Sequence, residues 1–131
     1  MILGIGLDIV KISRIEKIVE KSQENFLQKI YTQSEIDKFH SISSEKRKSE
    51  FLAKRFTAKE AFSKALGVGI GKIKFHEIEI YNDTNGKPKI TKTEKINQLI
   101  KDLFTVENYQ INLSITDDAG IAQSIVILSK I

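Results

Sequence analysis

Apolar and polar positions alternate with period two over residues 4–10, so Ile5, Leu7 and Ile9 share one face of a strand and Gly4, Gly6 and Asp8 the other. The period then lengthens to that of a helix. Ile12, Ile15 and Val19 line one side of residues 12–19 while Arg14 and Lys17 face elsewhere, and Phe26 and Ile30 continue a helical turn beyond. Thr32 followed by Glu35 is a capping-box pattern that opens a short helix through Phe39. Residues 41–50 are basic and serine-rich, a solvated loop or the start of the next helix. The main helix is predicted over residues 45–66, with Phe51, Ala58, Ala61, Phe62 and Ala65 on its buried side and Gly67 suited to the left-handed position after its end. Residues 67–72 read as a flexible connection. Residues 73–81 read as a strand in which Ile78 and Ile80 alternate with Glu77 and Glu79, and Asn85-Gly86 fits a tight hairpin. A second amphipathic helix follows over residues 93–104, through Ile96, Leu99, Ile100 and Leu103. Residues 109–116 and 121–128 alternate as strands around a turn at 117–120. With no repeat, low-complexity tract or linker, the pattern predicts one α+β domain over residues 1–131, an antiparallel sheet packed on one long helix.

Composition narrows the function classes. The chain has 131 residues, 40% of them hydrophobic and 29% charged, enough for one real core. Cysteine is absent, which excludes disulfides, thiolate zinc sites and a Cys nucleophile. No basic segment leading into a long apolar stretch opens the chain and no stretch approaches a membrane span, so a cytoplasmic protein without membrane contact is expected. The net charge of +4 favours an acidic partner: nucleic acid, an anionic lipid surface, a phosphate-bearing ligand or an acidic protein. The aromatic residues do not interleave with basic ones as a base-stacking platform would, so no nucleic-acid partner is expected.

Two stretches carry candidate chemistry. Asp8 stands on a strand face stripped of bulk by Gly4 and Gly6. The glycines would admit a close approach of the kind phosphate and ligand sites use, while Asp8 could equally cap the helix that follows. Along residues 51–67, Lys54, Arg55, Lys59 and Lys64 recur around one carboxylate, Glu60. Glu60 and Lys64 could form an ordinary i, i+4 surface pair. Alternatively, two carboxylates brought together among Lys and Arg donors suit Mg²⁺ on a phosphorylated substrate. Spacing alone does not show that Asp8 and Glu60 meet.

GIGLDIVKISRI followed by FLAKRFTAKEAFSKALGVGIG resembles the holo-[acyl-carrier-protein] synthase family, the small 4′-phosphopantetheinyl transferases of fatty acid biosynthesis, and the likeness extends through YNDTNGKPKI and the last two strands. The resemblance implies the phosphopantetheinyl transferase fold and transfer of phosphopantetheine from coenzyme A to a serine of apo acyl carrier protein, releasing 3′,5′-ADP. It implies that Asp8 and Glu60 bind Mg²⁺ against the diphosphate. Lys64 would stabilise the departing phosphate, with proton donation open to it, and Glu60 or a metal-bound water would be the base. Lys54, Arg55 and Lys59 become candidates for the coenzyme A phosphates, Phe56 for its adenine or pantetheine or else for the core, and the backbone of Gly67 and Gly69 for the nucleotide. Arg14 would meet an acidic helix of the carrier, with Phe26 and Ile30 as apolar anchors or core residues. The family also implies a homotrimer with clefts between subunits, for which the outer faces of residues 109–116 and 121–128 are candidate contacts. One departure stands out: where many members carry a nucleotide-binding His near the end of the penultimate strand, this chain has Asp117, leaving Ser114 and Thr116 as possible nucleotide contacts. His40 and His76 lie outside these motifs and read as structural or surface residues. Two other readings compete, a non-catalytic basic nucleotide- or RNA-binding module and a Mg²⁺-dependent nucleotide phosphohydrolase.

Overall fold

Ser44 and Gly67 delimit the longest element, helix α3 (Glu45–Leu66). The Ser44 hydroxyl accepts the Arg47 amide at 3.3 Å, and Gly67 takes the left-handed conformation at φ 70°. The computed structural model describes residues 1–67 and 72–131. Ahead of α3 come β1 (Ile2–Lys11), α1 (Ile12–Ile30) and α2 (Gln33–Ser41). After it come a 3₁₀ turn (Phe75–Glu77), β2 (Ile80–Asn82), β3 (Pro88–Ile90), α4 (Glu94–Phe104), β4 (Tyr109–Asp118) and β5 (Ile121–Lys130). The α+β class is as expected. β1, β5 and β4 form one antiparallel sheet in that order, and β2 pairs with β3 separately. Helix α3 lies across the inner face of the large sheet.

That contact explains the glycines. A Cβ on Gly4 would stand 1.9 Å from the Ala65 carbonyl oxygen and one on Gly6 only 1.7 Å from that of Ala61, so what approaches the β1 backbone is α3 itself, not a ligand. Two alanines face two glycines, and the helix sits directly on the strand. Gly6→Ala must force the two apart, and we expect a loss of about 1–3 kcal/mol or more, as in other overpacked cores. An unchanged midpoint in urea unfolding would show that the packing yields freely.

The expected elements shift in three places. Residues 73–81 are not one strand: the Glu77 carboxylate accepts the Lys74 amide and closes a 3₁₀ turn, leaving β2 only three residues. Asn85-Gly86 is not a two-residue hairpin. Residues 83–87 form a wider loop in which the Asp83 carboxylate accepts the amides of Asn85 and Lys87, both at 2.9 Å, and only Gly86 has positive φ. The two-residue turn lies instead between β4 and β5, where Ala119 (φ 51°) and Gly120 (φ 77°) are both left-handed, as a primed turn requires. The outer sheet face differs as well. β4 presents Asn112, Ser114 and Thr116 there, and the apolar surface belongs to β1 and β5: Ile5 (56% exposed), Leu7 (52%), Ile9 (58%) and Ile125 (37%). Among the described residues no helix is long and apolar enough to cross a membrane.

Candidate active site

Asp8 is not a helix cap. The residue preceding α1 is Lys11, which makes no side-chain capping bond, and Asp8 points from the inner face of β1 toward α3. Because Gly4 and Gly6 bring α3 against the strand, Lys64, one residue before Ala65, reaches across. Its ammonium donates to Asp8 Oδ1 and to the Leu7 carbonyl, each at 3.1 Å. The pair that forms is therefore Lys64 with Asp8. Glu60, one turn earlier, completes the cluster. Burial, and next the Asp8 charge, push its carboxyl above the usual carboxylate range, while Lys64 and Arg14 pull it down. Two carboxylates, one ammonium and one guanidinium thus converge from β1, α3 and the start of α1. The carboxylates repel each other, the situation a divalent cation relieves, and an all-oxygen pair leaving room for phosphate and water is the donor set Mg²⁺ prefers. Among the described residues no third His, Asp or Glu joins them.

Farther along α3 toward its N-terminus, a cavity of about 690 Å³ opens between α2, α3 and the β2–β3 hairpin, lined by Lys38, Arg47, Phe51, Lys54, Arg55 and Asn82 among others. Arg55 is buried. Its guanidinium lies over the Phe51 ring (4.9 Å) and donates to Asn82 Oδ1 at 2.6 Å, while its Nε is the one buried side-chain polar atom without a partner among the described residues. An unpaired donor in a basic cavity fits an anionic ligand. Lys54 pairs with Asp117 at 3.1 Å, so the carboxylate at the departure position turns inward onto this lysine. Lys38, Arg47 and Asn82 were not legible as site residues. Arg47 lies in the serine-rich basic run that reads as solvent-facing, and Asn82 looks like ordinary turn chemistry. A larger depression of about 730 Å³ beside α4 shares no residue with either site.

Several sequence candidates belong elsewhere. Lys59 does not reach a phosphate. It is fully buried, and its ammonium donates to Glu35 Oε1 (2.5 Å), the Ile30 carbonyl (2.8 Å) and the Phe75 carbonyl (3.0 Å). Those three bonds exhaust an ammonium's donors. Burial lowers its pKa and Glu35 opposes the shift. Phe56 packs between Phe26 and Phe75 with ring centroids 6.3 and 6.0 Å away, which is the core alternative. Phe26 and Ile30 are buried in that same cluster and present no anchor to a partner, whereas Arg14 is exposed. Gly67 ends α3 and is exposed; Gly69 lies outside the described residues. Thr116 and Ser114 are on the outer sheet face, opposite Asp8, so neither contacts the cluster of its own chain. His40 and His76 are exposed.

Residues 4–116 match the 4′-phosphopantetheinyl transferase superfamily. The chain is 44% identical over 131 residues to a holo-[acyl-carrier-protein] synthase of Staphylococcus haemolyticus, covering 99% of this chain and 98% of that one. Among solved structures, holo-[acyl-carrier-protein] synthase from Neisseria meningitidis superposes with a TM-score of 0.87 at 34% identity, covering 99% of this chain and 100% of that one. The Helicobacter pylori synthase in complex with coenzyme A gives 0.77 at 38% identity, covering 95% and 99%.

Proposed function

The chain belongs to the 4′-phosphopantetheinyl transferase superfamily and transfers the phosphopantetheine arm of coenzyme A to apo acyl carrier protein; we propose that it does so at the Asp8, Glu60 and Lys64 cluster, with Mg²⁺ held by the two carboxylates. The observation that carries this reading is the Lys64–Asp8 contact across the glycine-lined junction of β1 and α3, which joins two distant sequence signatures in one cluster with Glu60.

Bound Mg²⁺ would supply charge neutralisation on the diphosphate. The remaining work falls to the chain's own groups. The carrier serine forms a bond to the phosphorus that bears pantetheine, the diphosphate bridge breaks, and 3′,5′-ADP leaves. Glu60, whose carboxyl is made more basic by burial and by Asp8, receives the serine proton. Lys64, half exposed on a flexible stem, meets the charge that develops on the departing phosphate. Arg55, Lys54 and Arg47 line the cavity proposed for the nucleotide's phosphates, and the partnerless Arg55 Nε supports that assignment. The nucleophile comes from the carrier, so a chain without cysteine lacks nothing the reaction needs. The same reading puts the reaction in the reducing cytoplasm. Incubation with coenzyme A and apo carrier, followed by intact mass of the carrier, tests it. A carrier heavier by one phosphopantetheine is expected; an unchanged carrier beside intact coenzyme A would leave only binding, and hydrolysed coenzyme A a phosphohydrolase.

Arg14 is proposed as a carrier contact, being exposed, cationic and near enough to Glu60 for its charge to lower that carboxyl's pKa. Arg14→Glu should slow association with the acidic carrier by on the order of tenfold at low salt, with little change in coenzyme A affinity. Equal loss for both substrates in calorimetry would place Arg14 in the nucleotide site instead.

A homotrimer completes the reading. The apolar face of Ile5, Leu7, Ile9 and Ile125 is a contiguous surface of the kind interfaces cover. Thr116 shares that sheet face, so a nucleotide contact from Thr116 would serve a neighbouring subunit. Sedimentation at three times the 14.9 kDa chain mass is expected, and a fully active monomer would overturn the assembly.

A further inference from the structure

Lys64 is engaged by two acceptors of β1. Its ammonium bonds Asp8 Oδ1 and the Leu7 carbonyl, both on β1, at 3.1 Å, and the side chain is half exposed while that of Asp8 is largely buried. The carboxylate is thus fixed by the protein, and the cation reaches it from the solvent side. Resting on the reading that Asp8 and Glu60 take a divalent cation, we propose that Lys64 is the resident counter-ion of that site: it neutralises Asp8 in the metal-free chain, competes with the incoming divalent cation, and is released toward the nucleotide when the metal loads.

The argument is one of linkage. A group that stabilises the metal-free form more than the loaded form weakens metal binding by that difference. If the metal takes Oδ1, it must expel the ammonium. If it takes Oδ2, the lysine charge still stands against a doubly charged ion a few ångströms away and opposes it. The Arg14 charge acts on Glu60 and adds to the positive field, but among the described residues Lys64 alone touches a proposed ligand atom. Lys64 can leave at small cost because its stem is solvated, whereas buried Lys59 on the same helix, bonded three ways, cannot. The free enzyme therefore does not carry two unscreened neighbouring carboxylates, and the ammonium that the reaction needs is held beside the site until the metal arrives.

Mn²⁺ titration of the full chain without nucleotide, followed by the electron paramagnetic resonance signal of free Mn²⁺, tests this without measuring turnover. Asp8→Asn should abolish the binding. Lys64→Gln should tighten it by on the order of tenfold, the effect of removing one positive charge next to the ion. Lys64→Arg, which keeps the charge, should stay near wild type. Circular dichroism confirms that each variant is folded; Lys64 is exposed enough that all should be. Mn²⁺ binding that Asp8→Asn leaves intact, or no binding by any variant, would overturn the metal site and the proposal together. Binding that needs Asp8 but is unchanged or weaker in Lys64→Gln, or equally tightened in Lys64→Arg, would overturn the counter-ion role alone.

Discussion

Glu35→Ala should cost about 3–5 kcal/mol of folding stability, the usual consequence of leaving one partner of a buried ion pair alone. Glu35 Oε1 accepts Lys59 at 2.5 Å and the Thr32 amide at 2.8 Å, and its Oε2 accepts the Ile80 amide at 2.9 Å. One carboxylate therefore completes the capping box of α2, neutralises a fully buried ammonium of α3 and ties down the first residue of β2. Its removal strands a charge and two amides at once. Urea unfolding would measure the loss, and a change below about 1 kcal/mol, the level of an exposed pair, would show that water reaches Lys59 after all. Replacing both charges, with Glu35→Leu and Lys59→Met together, should recover much of the loss because no uncompensated charge remains.

Asp8→Asn should leave the fold intact and lower turnover by about 10²–10³, the range seen when one preorganised electrostatic contact is removed from an active site. Asn nearly preserves shape but carries no charge for Mg²⁺ and gives Lys64 a weaker partner. Glu60→Gln should lose at least as much, since it removes the proposed metal ligand and the proposed base together. Single-turnover transfer at limiting Mg²⁺ is the measurement. Near wild-type turnover in either variant would remove that residue from the site.

Sequence legibility tracked how local each determinant is. The bounds of α3 and the Thr32–Glu35 box were readable because capping is written within four residues of a helix end. Asp8 and Glu60 were readable through the family's signatures, yet periodicity could not place them together, since their meeting depends on two backbone contacts, Gly4 on Ala65 and Gly6 on Ala61, between distant segments. Lys59 was misread for the same reason. A lysine on a basic helix looks solvated, and the carboxylate that buries it stands 24 positions earlier on another helix. Ile78 and Ile80 alternate with Glu77 and Glu79 as a strand would, but Glu77 spends its carboxylate on a local turn. The turn within residues 117–120 was readable, but its tight two-residue form at Ala119-Gly120 was not, because alanine seldom adopts positive φ, and there the twist of two ten-residue strands overrides residue preference.

The sheet order has a consequence for how the enzyme comes into being. Among the described residues β1 has a single sheet neighbour, β5, with Leu7 opposite Ile125 and Asp8 opposite Ser124. During synthesis the segment bearing Asp8 emerges before α1 to β4 and must wait for β5 before its strand can pair, whereas β4 and β5 can zip together at once across a two-residue turn. Until then Ile5, Leu7 and Ile9 belong to an unpaired apolar strand, the kind of segment that chaperones shield and that aggregates when they do not. On the proposed site, competence therefore waits for β5, and a translation product interrupted before β5 would carry both signature motifs without a completed site.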